Sequence, residues 1–314
     1  MPAGVKLVGL LAVAGLLAVT ASAATAPVPV KASTRNEITP AAGGEYIAWA
    51  KSRRGHPRLY DVWAQRGTGA AIRVNARGTT GWLGGIDGSR LVYQQVRGGW
   101  QADIRIFDLE TRRRSQPAYV NTSRWEWGPT ISGDWLLFAR GVVYSSSRQE
   151  IVLRNLATGE VRVLDAVRNK RAALEPGQVN GTYAVWTRCR SVPHFDCDVF
   201  RYDIAAQTKT QMPPTGQVLY GPSVTPSGTT YYSRGNRGCG AGSELAKTTL
   251  DGATEVLHLF PGAQDIGVTY AVLIPVRPPG ELVTTRIYFE RVTCSGARWD
   301  IYSIDDTVRV PPTP

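Results

Sequence analysis

The amino-acid sequence predicts an all-β chain built from six repeated units. Glycine (33) and proline (20) are frequent among the 314 residues, and no convincing amphipathic helix follows the N-terminal leader. A glycine turn followed by an apolar run recurs at intervals of 44 to 48 residues, at Gly44, Gly88, Gly133, Gly181 and Gly228. A second apolar run recurs in step with it, and the polar residues near its end are Asp61, Asp108, Asn155, Asp203, Thr249 and Asp305. Two registers that advance together indicate an internal repeat.

The unit over residues 128–164 is the clearest copy. Its apolar runs at 130–131, 135–139, 151–156 and 161–164 are short, rich in β-branched and aromatic residues, and bounded by turn residues, as strands are. Four short strands per repeat of 40 to 50 residues are typical of a β-propeller, in which neighbouring blades cover each other's apolar faces. The sequence therefore predicts one six-bladed β-propeller of four-stranded antiparallel blades over residues 36–310.

The sixth unit is longer than the others, and the way it closes the ring is open. About ten extra residues at 277–285 separate its predicted first strand (269–276) from its second (287–292). Residues 307–310 resemble the last strand of the third unit and provide one candidate for the outermost strand. The N-terminal residues 28–31 are the other candidate. We favour the C-terminal segment.

The first 23 residues have the pattern of a signal peptide. Lys6 precedes an apolar run over residues 7–19, and the small residues Ala21, Ser22 and Ala23 form a cleavage-site pattern. The run is short for a transmembrane helix, so no membrane-spanning segment is expected. The alternative is an N-terminal core helix. We expect a secreted or extracytoplasmic chain with a signal peptide at 1–23 and an N-terminal tail at 24–35.

The repeats carry a resemblance to a known family. Each unit has an apolar strand, a polar turn and a strand ending in an aromatic residue; examples of the turn are 225–228, 131–134 and 86–88. Over about 36–310 this resembles the WD-type propeller repeats of the TolB family, although that family's turn is usually Ser-Pro-Asp-Gly. The resemblance implies a propeller with a general binding role and no particular reaction. TolB also carries a separate α/β domain ahead of its propeller, which residues 24–35 are too few to form.

Four cysteines predict two disulfides. Cys189 and Cys197 flank the loop between the second and third strands of the fourth unit, and Cys239 and Cys294 occupy the same loop in the fifth and sixth units. In an exported chain an even number of cysteines indicates disulfides, so we predict 189–197 and 239–294. A four-cysteine metal site is the alternative, but the spacing is not typical of one. We therefore predict no metal.

Residues that would carry catalysis are scarce. Only His56, His194 and His258 are present, and the first two fall in units on opposite sides of a six-fold ring. No nucleophile elbow, phosphate loop or metalloprotease motif occurs in the sequence. We predict no catalytic residue and no cofactor, and we expect a protein that is not an enzyme.

Arginine recurs in the loop between the second and third strands. With 36 cations and 25 acids the formal net charge is +11. The predicted contact residues are arginines of these loops and one tryptophan: Arg53, Arg97, Trp100, Arg148, Arg190, Arg237 and Arg298. Guanidinium groups suit carboxylate and phosphate partners. The competing interpretation is a solvated surface, because an acid opens the third strand in five units and can pair with these arginines: Asp103, Glu150, Asp198, Glu244 and Asp300.

The expected function is therefore that of a secreted, monomeric binding module that contacts an anionic protein or cell-envelope polymer. Nucleic acid is not expected, since an exported protein rarely meets it. One alternative is an extracytoplasmic hydrolase or lyase acting on a carbohydrate or lactone at the mouth of the channel. Convergence of three or more carboxylates or histidines there would favour it. A structural role in envelope assembly is the third possibility.

Overall fold

The protein is a six-bladed β-propeller. The computed structural model describes residues 23–97, 101–141, 148–169, 171–191, 196–214, 217–235, 242–261, 264–274, 282–293 and 298–309. Six antiparallel sheets follow one another along the chain, and the innermost strand of each contacts that of the next until the sixth meets the first. The predicted fold class and number of blades are confirmed. The described ranges contain no helix that could cross a membrane.

The strands are numbered along the chain. Two N-terminal strands, β1 (Ala23–Ala24) and β2 (Val28–Lys31), precede blade one, which contains β3 (Glu37–Gly43), β4 (Tyr46–Arg53), β5 (His56–Arg66) and β6 (Ile72–Arg73). Blade two contains β7 (Thr80–Asp87), β8 (Arg90–Arg97), β9 (Gln101–Asp108) and β10 (Arg114–Ser115). Blade three contains β11 (Trp125–Ser132), β12 (Trp135–Gly141), β13 (Gln149–Asn155) and β14 (Val161–Val167).

The remaining blades follow the same plan from the axis outwards. Blade four contains β15 (Ala173–Asn180), β16 (Tyr183–Ser191), β17 (Asp196–Asp203) and β18 (Thr208–Gln211). Blade five contains β19 (Leu219–Val224), β20 (Thr230–Gly235), β21 (Ser243–Thr248) and β22 (Thr254–Phe260). Blade six contains the longer strands β23 (Gln264–Ile274), β24 (Leu282–Thr293) and β25 (Arg298–Arg309).

The N-terminal segment closes the ring, so the prediction that residues 307–310 do so is wrong. In β2, Val28 lies opposite Ser303 of β25, and β1 pairs with the far end of the same strand. Residues up to 309 belong to the third strand because β25 pairs with β24 along its whole length. From β2, Lys31 donates a hydrogen bond to Gln65 of blade one and lies 4.5 Å from the centre of the Trp49 ring. The tail therefore links the first and last blades.

The register of two blades differs from the prediction. Asp61 lies opposite Lys51 in the way that Glu150 lies opposite Arg140. Asp61 therefore corresponds to the acids near the start of the other third strands and does not end its own strand, although β5 itself begins earlier, at His56. The acid at this position is therefore present in all six blades. In blade six the first two strands are longer than predicted, and 282–285 of the expected insertion belong to β24; 275–281 lie outside the described residues.

The polar residue that ends the third strand shapes the following turn in blades two to four. Asp108 Oδ1 accepts hydrogen bonds from the amides of Glu110 and Thr111. Asn155 and Asp203 do the same two and three residues ahead. A side-chain oxygen that binds its own turn explains why Asp or Asn recurs at this position.

Glycine and proline build a bulge in the middle of the inner strands. The strand register shifts between Leu83 and Gly85 in β7, and shifts at the equivalent place in the other five inner strands. A Cβ added to Gly84 would lie 1.7 Å from the carbonyl oxygen of Pro129, and one added to Gly177 would lie 2.3 Å from that of Pro222. Because glycine has no side chain, neighbouring inner strands can approach each other closely around the axis at these positions.

Candidate binding face

One face of the ring, called the loop face here, collects the loops between second and third strands together with the connections between blades. The antiparallel order of strands places both sets of segments at the same end of the blades. Contacts between the two sets confirm the placement, since Arg53 at the end of β4 donates to the carbonyl oxygen of Thr79. Similarly Arg188 Nη1 lies 3.1 Å from Asp165 Oδ1 of the neighbouring blade.

The predicted contact arginines that the structure describes lie on this face, and each is paired with an acid of its own blade. Arg53 Nη2 lies 2.7 Å from Asp61, and Arg148 Nε lies 2.6 Å from Glu150. Arg190 pairs with Asp198 and Arg298 with Asp300. Arg97 belongs to β8, but its side chain lies outside the description, as do Trp100 and Arg237. These ion pairs are the ones that the interpretation of a solvated, internally paired surface predicts. A ligand-binding role for these residues stays a prediction.

Other arginines on the loop face have no such partner. They are exposed, and no described carboxylate oxygen lies within 4.0 Å of their side-chain nitrogens. Because they follow one another from blade one to blade four, we call them the basic arc: Arg54, Arg77, Arg124, Arg168 and Arg171. The connections after blades four and five, at 212–218 and 261–263, contain no cation. Among the described arginines of the loop face, the basic arc therefore runs from blade one to blade four.

An open depression of about 270 Å³ lies in the basic arc between blades two and three. Its lining residues are Thr122, Ser123, Arg124 and Arg140. Beneath it Glu126 is fully buried, and Glu126 Oε1 accepts hydrogen bonds from the Thr122 amide (3.2 Å) and hydroxyl (2.6 Å). Burial raises the pKa of the Glu126 carboxyl above its usual range, and the hydrogen bonds from Thr122 oppose this shift.

The depression was missed by the sequence analysis, which drew its predicted contact residues only from the loops between second and third strands, whereas Arg124 lies in the connection between blades two and three. Arg140 lies inside β12, where a cation is typical of an exposed strand position. Glu126 stands between two tryptophans in β11, a pattern that indicates burial of its neighbours and conceals its own. The signal available in the sequence was an acid inside a predicted inner strand, because such a strand is expected to be buried and an acid there needs a specific partner.

The central channel is blocked by two side chains. The Tyr270 hydroxyl of blade six donates to Ile86 O (3.0 Å) and accepts from Ile86 N (3.1 Å) in blade two. The Gln178 amide of blade four donates to Ala271 O (3.0 Å) of blade six. Burial raises the pKa of Tyr270 to about 12, so this hydroxyl stays protonated at neutral pH. Blades two, four and six are thereby linked across the axis.

The cavities on the axis contain few reactive groups. Tyr270 and Gln178 line both of them, one of about 100 Å³ and one of about 210 Å³ at the mouth opposite the loop face. Asp87 is the only carboxylate that lines either cavity among the residues described, and it binds Arg90 and the Gly133 amide. Among the described residues no three His, Cys, Asp or Glu side chains converge to hold a metal. His194 lies outside the description.

The disulfide predicted between Cys189 and Cys197 is present, with a Cα–Cα distance of 4.0 Å. It joins β16 to β17 at the edge of the loop face, next to Arg190. Cys239 and Cys294 lie outside the described residues, so the second predicted disulfide stays a prediction.

Comparison with known proteins identifies the type of propeller. No protein-family model and no curated protein matches the chain. Among solved structures, TolB from Acinetobacter baumannii superposes with a TM-score of 0.53 at 15% identity, covering 84% of this chain and 65% of that one. The chain has the fold of the TolB-like propellers. It spans less than two thirds of the length of that TolB.

Two further structures support the fold. Putative TolB from Agrobacterium tumefaciens gives a TM-score of 0.55 at 11% identity and covers 88% of this chain and 92% of its own. A protein of unknown function from Dyadobacter fermentans gives 0.58 at 10% identity, with 90% and 98% covered. At these identities the likeness concerns the fold, so the resemblance predicted from the repeats is confirmed at that level.

Proposed function

We propose that this protein is an exported, monomeric binding module whose loop face contacts an anionic protein or cell-envelope polymer. The observation that carries the proposal is the basic arc, in which exposed arginines have no described carboxylate within 4.0 Å. Unpaired guanidinium groups attract anions over several ångströms and bind carboxylate or phosphate with paired hydrogen bonds.

The paired and unpaired arginines have different roles in this proposal. In blades one, three, four and six, the acid near the start of the third strand holds an arginine at the rim of the face. The side chains of Arg148, Arg190 and Arg298 remain 42%, 58% and 46% exposed, so they line the same surface as the basic arc. Their acids offset much of their charge. Net attraction for an anion therefore comes from the arc.

Several features support binding on the face over chemistry on the axis. Tyr270 and Gln178 occupy the channel, and Asp87 is the carboxylate that the described residues bring to the cavities on the axis. No specific observation favours a hydrolase or lyase. The Cys189–Cys197 disulfide is compatible with an oxidising compartment, and the N-terminal 1–23 pattern supports export.

Retention on an anionic matrix tests the proposal. Arg124→Glu/Arg168→Glu removes two arc charges. Arg112→Glu/Arg113→Glu makes the same change in net charge on the opposite face, where the backbone of Leu109 binds Ser89 in the adjacent turn. We expect the arc variant to elute at a clearly lower salt concentration than the wild type and the control to stay close to it. Equal shifts of both variants would show that only net charge matters and would contradict the proposal.

Export is tested separately by determining the N-terminus of the protein recovered from its native source. Cleavage after Ala23 predicts a mature chain that begins at Ala24. Recovery of a chain that still begins at Met1 would contradict export through a cleaved signal peptide. The matrix experiment is independent of this result.

A further inference from the structure

We infer that the depression between blades two and three is a binding site for one oxyanion group, a carboxylate, sulfate or phosphate, carried by the ligand of the loop face. The inference rests on the proposed function and specifies where on the face the ligand is held. Two guanidinium groups and two hydroxyl groups line the depression, from Arg140, Arg124, Ser123 and Thr122. Such a set combines charge with several hydrogen-bond donors.

The charge around the depression is not balanced. Glu150 is the described acid paired with Arg140, whose Nη2 lies 2.8 Å from Glu150 Oε2. Arg148 Nε binds the other oxygen of the same carboxylate at 2.6 Å. One acid therefore serves two arginines, and Glu126, which lies opposite Arg140 in the adjacent strand, is a second acid nearby. The described residues provide no carboxylate within 4.0 Å of Arg124, so three arginines face two acids. The surplus of positive charge attracts an anion.

Hydrogen-bonding capacity also remains on the lining residues. Ser123 is exposed, and no hydrogen bond of its hydroxyl is found in the described part of the chain. A guanidinium carries five N–H donors. In Arg140 the Nη2 atom binds Glu150 and Nε is buried, which leaves the other Nη hydrogens for a ligand.

The loop that carries Arg124 is held in place before any ligand binds. Thr122 Oγ1 donates to the buried Glu126 (2.6 Å) and accepts from the Arg124 amide (3.1 Å). Asn121 Oδ1 accepts from Ile104 N (2.7 Å), and its amide nitrogen donates to Ile104 O (2.9 Å). The connection is thus fixed both to β11 and to β9. Preorganisation of this kind lowers the entropic cost of binding.

The shape of the site suits a group presented by a larger molecule. The depression of about 270 Å³ is open to solvent, so it admits a side group or an end of a polymer without enclosing it. The ligand chemistry is the oxyanion, and three polymers distinguish its sources: polyglutamate for carboxylate, dextran sulfate for sulfate and polyphosphate for phosphate.

Titration calorimetry of the disulfide-intact protein with each polymer, at about 0.1 M salt, tests the inference. The variant is Arg124→Gln, and the matched control is Arg77→Gln, which removes another exposed arginine of the basic arc between blades one and two. For the polymer with the right oxyanion, Arg124→Gln should weaken binding at least about tenfold, the effect of losing charged hydrogen bonds. Arg77→Gln should change it less than about threefold. Unchanged melting temperatures show that both variants fold.

The outcomes separate the two levels of the proposal. Selective loss in Arg124→Gln, together with a smaller loss in Ser123→Ala, supports the site and identifies its oxyanion. Equal weakening by Arg124→Gln and Arg77→Gln, or weakening by neither, overturns the site and leaves the loop face as a diffuse anion-binding surface. Wild-type protein that binds none of the three polymers overturns the proposed function and the site together.

Discussion

Close approach of the inner strands makes Gly84→Ala the sharpest structural prediction. The alanine Cβ would lie 1.7 Å from the carbonyl oxygen of Pro129 and 2.8 Å from its carbonyl carbon, whereas real Cβ contacts stay beyond 3.0 Å. The obstacle is backbone of the next inner strand, so β7 or β11 must move by more than 1 Å near the axis. Overpacking of this severity costs about 3 kcal/mol, which lowers the melting temperature by about 6 °C.

Thermal unfolding followed by circular dichroism measures this effect, with Gly44→Ala as the control. Gly44 has a φ of +56°, and no atom within 4 Å would meet an added Cβ. Its substitution therefore reports the backbone cost alone, about 1 kcal/mol. Gly177→Ala, which meets the carbonyl oxygen of Pro222 at 2.3 Å, should behave like Gly84→Ala. If Gly84→Ala melts no lower than Gly44→Ala, packing around the axis is looser than the strand contacts indicate.

Three further predictions concern buried charge, pH and the disulfide. Asp306→Ala removes the carboxylate that lies 2.9 Å from the buried Lys247 ammonium and should cost about 3 kcal/mol in urea unfolding, part of which Lys247→Met restores. The pKa of Glu126 is raised in the folded protein, so its contribution to the free energy of unfolding is complete below its usual pKa and is lost as pH rises through the folded pKa. Glu126→Gln should flatten this decline of stability with pH. Parallel pH profiles of wild type and variant would contradict the prediction. Replacing Cys189 and Cys197 by serine opens a link across 8 positions and should cost about 2.5 kcal/mol; a further loss under reducing agent is expected from the predicted 239–294 disulfide.

The repeat allowed the number and arrangement of blades to be predicted. Each blade is a local meander whose strands are joined by short turns, so its pattern is contained in one continuous stretch of sequence. Asp108, Asn155 and Asp203 made the register visible because each binds its own turn. Blade one was misaligned by five residues, because Asp61 and Asp108 are chemically alike and only the strand partners show that Arg66 stands at the position of Asp108.

The candidate site was predicted in part. The loop arginines were located correctly on one face where the structure describes them. Because these arginines form ion pairs, the positive charge that is left unpaired is that of the basic arc. Arg140 and Glu126 were missed because a residue's burial and its neighbour in the next strand depend on how blades pack, which spacing along one chain does not report.

By itself the sequence determined what is local in this protein: strands, turns, six repeats and a disulfide within one hairpin. Only the tertiary structure decided which terminus closes the ring, which arginines keep their charge unpaired and how the axis is filled. Those outcomes depend on contacts between residues far apart in sequence, such as Tyr270 with Ile86 and Val28 with Ser303. They follow from geometry that exists only after the blades have closed.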